Sequence, residues 1–261
     1  MNTFNLIRLA IVYHWDAHRS NPVNLFAGVF GMMINNTIVL FGLWAMLFSG
    51  KPESDKMTLY FLTLNTVITL AWGSTCFFLG GFYNLAESIE DGSLEPMLST
   101  PRPPLLLVGI SQSVLPALGD LVQGLVSLGV VGYLGGLNRA FHCSLMVLIS
   151  SLACVAVFIL TGSIPFFVTR GSQLGNLLRE ICLSLSFYPT GKIFEDRLRW
   201  VLWLTPAAAT ALLPMWAIDD WGLVPFLASA AAAIFLFILA IGFFQAGLTR
   251  FQSASYVTLR G

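Results

Sequence analysis

The sequence predicts an all-α integral membrane protein. Its elements are six transmembrane helices, an N-terminal amphipathic interfacial helix and a re-entrant external helix pair before the last span. Three observations carry this. Of 261 residues, 56% are hydrophobic and only 10% charged, against about 25% charged in soluble domains. Thirteen Lys+Arg balance thirteen Asp+Glu, and mean hydropathy is +0.79; a soluble chain this apolar and this neutral aggregates. The apolar residues gather into stretches of about 20, the length that crosses a hydrocarbon core. The same composition excludes a disordered chain and a nucleic-acid binder working through bulk positive charge.

Residues 2–20 read as the interfacial helix. At about 100° per residue, Phe4, Ile7, Ala10, Ile11, His14, Trp15 and His18 share one face, opposite Asn5, Arg8, Asp16 and Arg19. Leu9 and Val12 interrupt the polar side. A continuous apolar run and a small-residue cleavage site are both missing, so a signal peptide is not indicated. A helix of this kind lies along a membrane surface, and Asn21-Pro22 separates it from the first span.

The spans fall at about 24–49, 57–80, 104–134, 142–168, 172–188 and 222–248, forming one transmembrane domain over 1–261. The third carries Asp120 and the fifth Arg179 and Glu180. The stretch 200–218 is also apolar but contains Pro206 and Pro214, and an interior proline costs about 3 kcal/mol in a straight helix. It reads as part of a re-entrant pair over 189–219, with seven full spans as the alternative.

Orientation should follow Lys/Arg asymmetry. With the N-terminus inside, Arg8, Arg19, Arg102, Arg170, Arg250 and Arg260 face Lys51, Lys56, Arg139, Lys192, Arg197 and Arg199 across the bilayer, a tie. The cysteines Cys76, Cys143, Cys154 and Cys182 match no metal or disulfide spacing and read as small apolar filler. Asn35-Asn36-Thr37 is a glycosylation sequon in form but lies within a span; hydrogen bonding between helices, or across a dimer, suits it better.

The segment 83–104 concentrates acid. It holds Glu87, Glu90, Asp91 and Glu95 against Arg102 alone. Tyr83 onward has helical propensity up to Gly92, a good helix stop. Ser93 is placed to cap a second short helix starting with Glu95 and Pro96. An amphipathic connector with a solvated acidic face and a partner-docking loop both fit these residues.

Charge within a span must face protein or water. Sequence neighbours on a helix point about 100° apart, so Arg179 and Glu180 each need a separate partner. Asp120 with Arg179 is one candidate pair, either in a substrate path or gate, or locking two helices. After Tyr188-Pro189, the mixed charges Lys192, Glu195, Asp196, Arg197 and Arg199 with Trp200, Trp203 and Trp216 read as an external gate or as a surface helix anchored by indoles.

The run Asp91-Gly92-Ser93-Leu94-Glu95-Pro96-Met97-Leu98-Ser99-Thr100-Pro101 resembles the E-x-G-T-L-E-x-L-L-x-T-P loop of type-2 ABC exporter permeases. Ser93 stands where that family often has Thr. Phe187-Tyr188-Pro189, Ile193-Phe194 and Leu204-Thr205-Pro206-Ala207 resemble its viologen-exporter-like subfamily. The likeness in architecture extends over nearly the whole chain. It implies a bacterial inner (cytoplasmic) membrane location with both termini and the 83–103 loop cytosolic. It also implies that Glu87, Glu90, Asp91, Gly92, Leu94, Glu95 and Leu98 form the coupling helix region, with Leu94 and Leu98 as anchors on the ATPase. The implied partners are two ABC ATPase subunits and a second permease chain, same or similar.

The chain lacks G-x-x-x-x-G-K-[ST]; the nearest fragment, Thr190-Gly191-Lys192-Ile193, has neither the first glycine nor the final hydroxyl. ATP and Mg would therefore be bound by the partner, with no cofactor on this chain. The function expected is efflux of a hydrophobic or amphipathic small molecule or lipid. A secondary transporter or channel not coupled to ATP is the alternative, although no clear internal repeat supports it. An intramembrane enzyme is disfavoured: H-E-x-x-H does not occur, and the three His are split between the N-terminal helix and the fourth span.

Overall fold

A computed structural model describes residues 3–48, 54–187 and 202–251, almost all of them helical and none in a strand. The chain starts with α1 (Thr3–Arg19), whose inward side carries Ile7, Ala10, His14 and His18. Then come α2 (Pro22–Phe48), α3 (Ser54–Phe78) and four short helices: α4 (Gly80–Tyr83), α5 (Leu85–Glu90), α6 (Glu95–Leu98) and α7 (Pro104–Ile110). Next are α8 (Ala117–Gly135), α9 (Leu137–Gly162), a 3-10 turn (Ile164–Phe166) and α10 (Gly171–Phe187). A π-helical turn (Ala208–Leu212), α11 (Leu213–Asp219) and α12 (Leu223–Leu248) follow among the described residues.

Five of these helices, α2, α3, α8, α9 and α12, are long and apolar enough to cross a membrane. The fold is that of an all-α integral membrane protein. The hub is α3: 78% of its apolar window is buried inside the chain, against 11% for α2. Lipid tails are as apolar as leucine, so close packing rather than water exclusion must hold such helices together. Glycines make that approach possible. A Cβ on Gly124 would stand 2.5 Å from Leu70 Cγ, and one on Gly119 would stand 2.5 Å from the Val29 carbonyl. Two large apolar cores and a small cluster of Ala153, Ala209 and Ala233 result. One core gathers Trp72, Phe82, Leu94, Phe158, Phe166 and Phe244; the other gathers Leu40, Leu64, Val67, Met146, Met215 and Ile218. Phe26, Phe30, Ile34, Ile38 and Phe41 form an outward apolar face on α2.

The two ends differ. At one, α1 meets α7 through His14 Nε2 and the Ile110 carbonyl, 3.1 Å apart, and Phe166 meets Phe251. At the other, Gly136 (φ 86°) turns α8 into α9, and Arg139 pairs with Asp219 at 2.7 Å. His142 and Trp221 stack there with centroids 3.6 Å apart.

The structure departs from the expected spans in four places. The expected fifth span, 172–188, is α10, 17 residues long and not among the five helices long and apolar enough to cross. The 104–134 stretch is two helices, not one. Pro116 has no N–H to continue a helix, and the break at 111–116 is fastened from outside: Val114 N–H donates to the Cys76 carbonyl and Asn84 Nδ2 to Gln112 Oε1. The expected 142–168 span starts earlier, at Leu137, because the turn at Gly136 is tight. It ends at Gly162, where Pro165 imposes a 3-10 turn. Within the expected re-entrant pair, 202–219 forms the π-helical turn and α11, and 189–201 lies outside the described residues.

Candidate functional site

The acidic segment folds as a compact set of short helices beneath α3. Its entry depends on close backbone approach: a Cβ on Gly81 would fall 1.7 Å from the Val108 carbonyl, so only glycine there lets α4 and α7 come this close. Asn84 interrupts the helix between α4 and α5. Beyond α5, Gly92 takes φ 77°, a left-handed value that costs other residues roughly 1–2 kcal/mol. Asp91 Oδ1 accepts the Ser93 N–H at 2.8 Å, and the Leu94 N–H closes on the Ser88 carbonyl. The cap position of α6 is consequently Leu94, not Ser93 as the sequence suggests.

Leu94 is wholly buried, with Leu85 and Ile89, in the chain's own core, and Leu98 packs partly against the same cluster. Leu94 faces into the bundle, since on so short an amphipathic helix the apolar side covers the core beneath it, and Leu98 is half-buried. Glu87, Glu90, Asp91, Ser93, Pro96 and Thr100 are exposed.

Two of the acids reach across to α10. Glu90 Oε1 accepts the backbone N–H of Ser172 at 2.9 Å and Oε2 accepts its hydroxyl at 2.5 Å. Glu87 Oε1 accepts from Asn176 Nδ2 at 2.6 Å. A turn further along α10, Arg179 Nη1 donates to the Tyr83 carbonyl at 2.5 Å, and its guanidinium stacks 3.7 Å over the Tyr83 ring. Around it, Trp72, Tyr83 and Phe158 make three edge-to-face pairs. Sequence reasoning missed Ser172 and Asn176. Their spacing with Arg179 (i, i+4, i+7) puts the three on one helix face, a stripe readable from the sequence.

Asp120, 5% exposed, accepts a hydrogen bond from Asn36 Nδ2 at 2.6 Å. The candidate pair Asp120–Arg179 is not formed. Arg179 is instead held by Tyr83 and, at a long 3.7 Å, by Glu180. The guanidinium stem is long enough to fold back on a sequence neighbour, so Glu180 meets Arg179 at this long distance although the two point about 100° apart on the helix. Glu180 is half exposed, so this pair is worth little. Asp120 also lies in the first turn of α8, not mid-span, because the break at 111–116 starts the helix late. The partner of Asn36 is on the same chain, so a cross-dimer role is not needed to satisfy it.

Toward the other end, Thr210 sits in the π-helical turn. Its hydroxyl pairs with Ser186 Oγ at 2.7 Å, and its carbonyl accepts from the Ser150 hydroxyl. A small cavity lies between Trp72, Cys154, Cys182, Leu183, Ser186 and Thr210. Tyr188 and Pro189, predicted for the path or gate, lie outside the described residues, as do Lys192, Glu195, Asp196, Arg197 and Arg199. Among the described residues, no group of three or more His, Cys, Asp or Glu comes together. Chemically, then, the arrangement offers polar latches between helices and an acidic face beside them.

The sequence model of a family described as ABC-2 family transporter protein matches residues 33–255, from within α2 past the end of α12. No curated protein and no solved structure matches the chain.

Proposed function

The chain belongs to the ABC-2 family of transporter proteins, and from that premise we propose that it is the membrane-spanning permease subunit of an ATP-driven exporter. ATP and Mg are bound and turned over on two separate ATPase subunits, and a second permease chain, same or similar, completes the path. The cargo is a hydrophobic or amphipathic small molecule or lipid moving outward across a bacterial inner membrane. Both termini and the 83–103 loop are cytosolic. The motifs at 187–194 and 204–207 support placing it with the viologen-exporter-like permeases.

One observation carries the reading. The acidic segment is a preformed surface element whose apolar side is used up on the chain's own core, leaving Asp91, Ser93, Pro96 and Thr100 outward. A rigid presented patch is what a groove on a partner needs, and rim charge sets encounter and register more than affinity.

Co-purification tests it. Asp91→Lys with Pro96→Glu should cut recovery of the ATPase subunit at least tenfold while leaving permease yield unchanged. Equal recovery with the wild-type loop overturns the reading.

A further inference from the structure

The acidic loop is tied to two parts of the molecule in different ways. Its covalent connection to α3 passes through two non-helical joints, Leu79 (φ −131°, ψ 36°) and Asn84 (φ −98°, ψ 13°). Its apolar contacts through Leu85, Ile89 and Leu94 are non-directional. Asn84 holds Gln112 in the 111–116 break. Glu87, Glu90 and the Tyr83 carbonyl make directional contacts to one helix, α10. They form an antiparallel ladder: Glu90 to Ser172, Glu87 to Asn176, and the Tyr83 carbonyl to Arg179. Ser172, Asn176 and Arg179 lie on one face, spanning about 10 Å of helix at 1.5 Å per residue.

The far half of α10 carries a second polar contact. Ser186 meets Thr210, the residue whose carbonyl Ser150 holds, inside the π-helical turn 208–212. Such turns are rare and tend to mark functional sites. One helix thus links the acidic loop at one end to an irregular turn at the other.

We propose that Ser172, Asn176 and Arg179 are positioning residues that clamp the acidic loop to α10, and that α10 carries displacement of the loop to the π-helical turn at Thr210. This rests on reading the loop as the ATPase contact. Under it, the carboxylates of Glu87 and Glu90 act as hydrogen-bond acceptors for α10 and not as charges for the partner.

Glutamine and leucine separate these roles. Glu87→Gln/Glu90→Gln keeps an acceptor for Asn176 and for the Ser172 N–H while removing both charges; Glu87→Leu/Glu90→Leu removes charge and acceptor. The measurement is hydrogen exchange of residues 208–212 in the permease–ATPase complex, with and without ATP plus vanadate. Wild type and the Gln pair should show the same nucleotide-dependent change, and the Leu pair should reduce it at least fivefold with the ATPase still bound. A wild-type response in the Leu pair, or no response in wild type, overturns the proposal. Loss of the ATPase from the Gln pair also overturns it, because charge would then be the role.

A tethered variant guards against misfolding of the Leu pair. In a Cys182→Ala background, Glu90→Cys/Ser172→Cys should lack the response and recover it when the two thiols are joined by a short bifunctional reagent. No recovery on joining overturns the clamp. Retention of the ATPase by Asp91→Lys/Pro96→Glu would instead sink the coupling-loop reading, so the two failures are told apart.

Discussion

Asp120 and His18 show how a single polar side chain acts where water is scarce. Asp120 has Asn36 as its hydrogen-bond partner, so what matters for packing is an acceptor at that point rather than a charge. Asp120→Asn should hold the wild-type melting temperature in detergent. Asp120→Leu strands the Asn36 amide and should cost about 0.6–2 kcal/mol, the range for hydrogen bonds between membrane helices. Equal melting temperatures for the two variants would remove Asn36–Asp120 as a helix lock. His18, on the inward side of α1, is held below its ordinary pKa of 6.5 by burial and then by the His14 imidazole. Its neutral form therefore belongs to the docked helix. Its contribution to docking is complete above pH 6.5 and lost as pH falls through the lowered value. Protection of the α1 amides, corrected for the slower intrinsic exchange at low pH, should fall between pH 7.5 and 5.5, and His18→Gln should flatten that change. These two residues were legible to different degrees. The inward side of α1 followed from helical period. The bond from Asn36 to Asp120 crosses 84 positions, and periodicity carries no information on which distant helix will be adjacent.

Helices pair here through notches. A Cβ on Gly73 would stand 2.7 Å from Asp120 Cβ and 3.1 Å from the Leu121 nitrogen. Gly73→Val should therefore separate α3 from α8, cost about 1–3 kcal/mol as overpacking, and loosen the Asn36 bond with it. Gly31→Val, where nothing lies within 4 Å, is the control and should melt as wild type. Composition alone does not distinguish these two glycines, since only the approach of a second backbone makes one of them indispensable. The break at 111–116 teaches the same point. Hydropathy runs on through 104–134, yet Pro116 removes a donor, the Cys76 carbonyl takes up the freed Val114 N–H, and Asn84 holds the Gln112 side chain. The helical acidic segment and its stop at Gly92 were readable locally. That Leu94 faces inward and Glu87 and Glu90 face α10 was not, because those faces are chosen by the core and by the helix that arrives beside them.

Over the whole molecule, scarcity of charge sets the class and its distribution leaves orientation open, with six basic residues assigned to either side. The packing links α1, the acidic segment and the end of α12 at one end, so the proposed topology is testable at the other. Alkaline phosphatase inserted at Gly136 should be active in cells, and a fusion after Arg250 inactive. The reverse pattern would invert the proposed export geometry. Purified alone, the permease should hydrolyse no ATP; activity should appear only on adding the ATPase subunit.

What the sequence determined by itself is what depends on counting residues along the chain. The all-α membrane class, most of the long helices, the N-terminal helix α1 and the position of the acidic segment follow from composition, length and period, because partition into a bilayer is a sum over neighbouring residues. What only the tertiary structure decided is pairing. Asp120 went to Asn36, Arg179 to Tyr83, and Glu87 and Glu90 to α10, because in a bundle held by close contact the partner of a buried polar group is set by which backbone the glycines allow to approach.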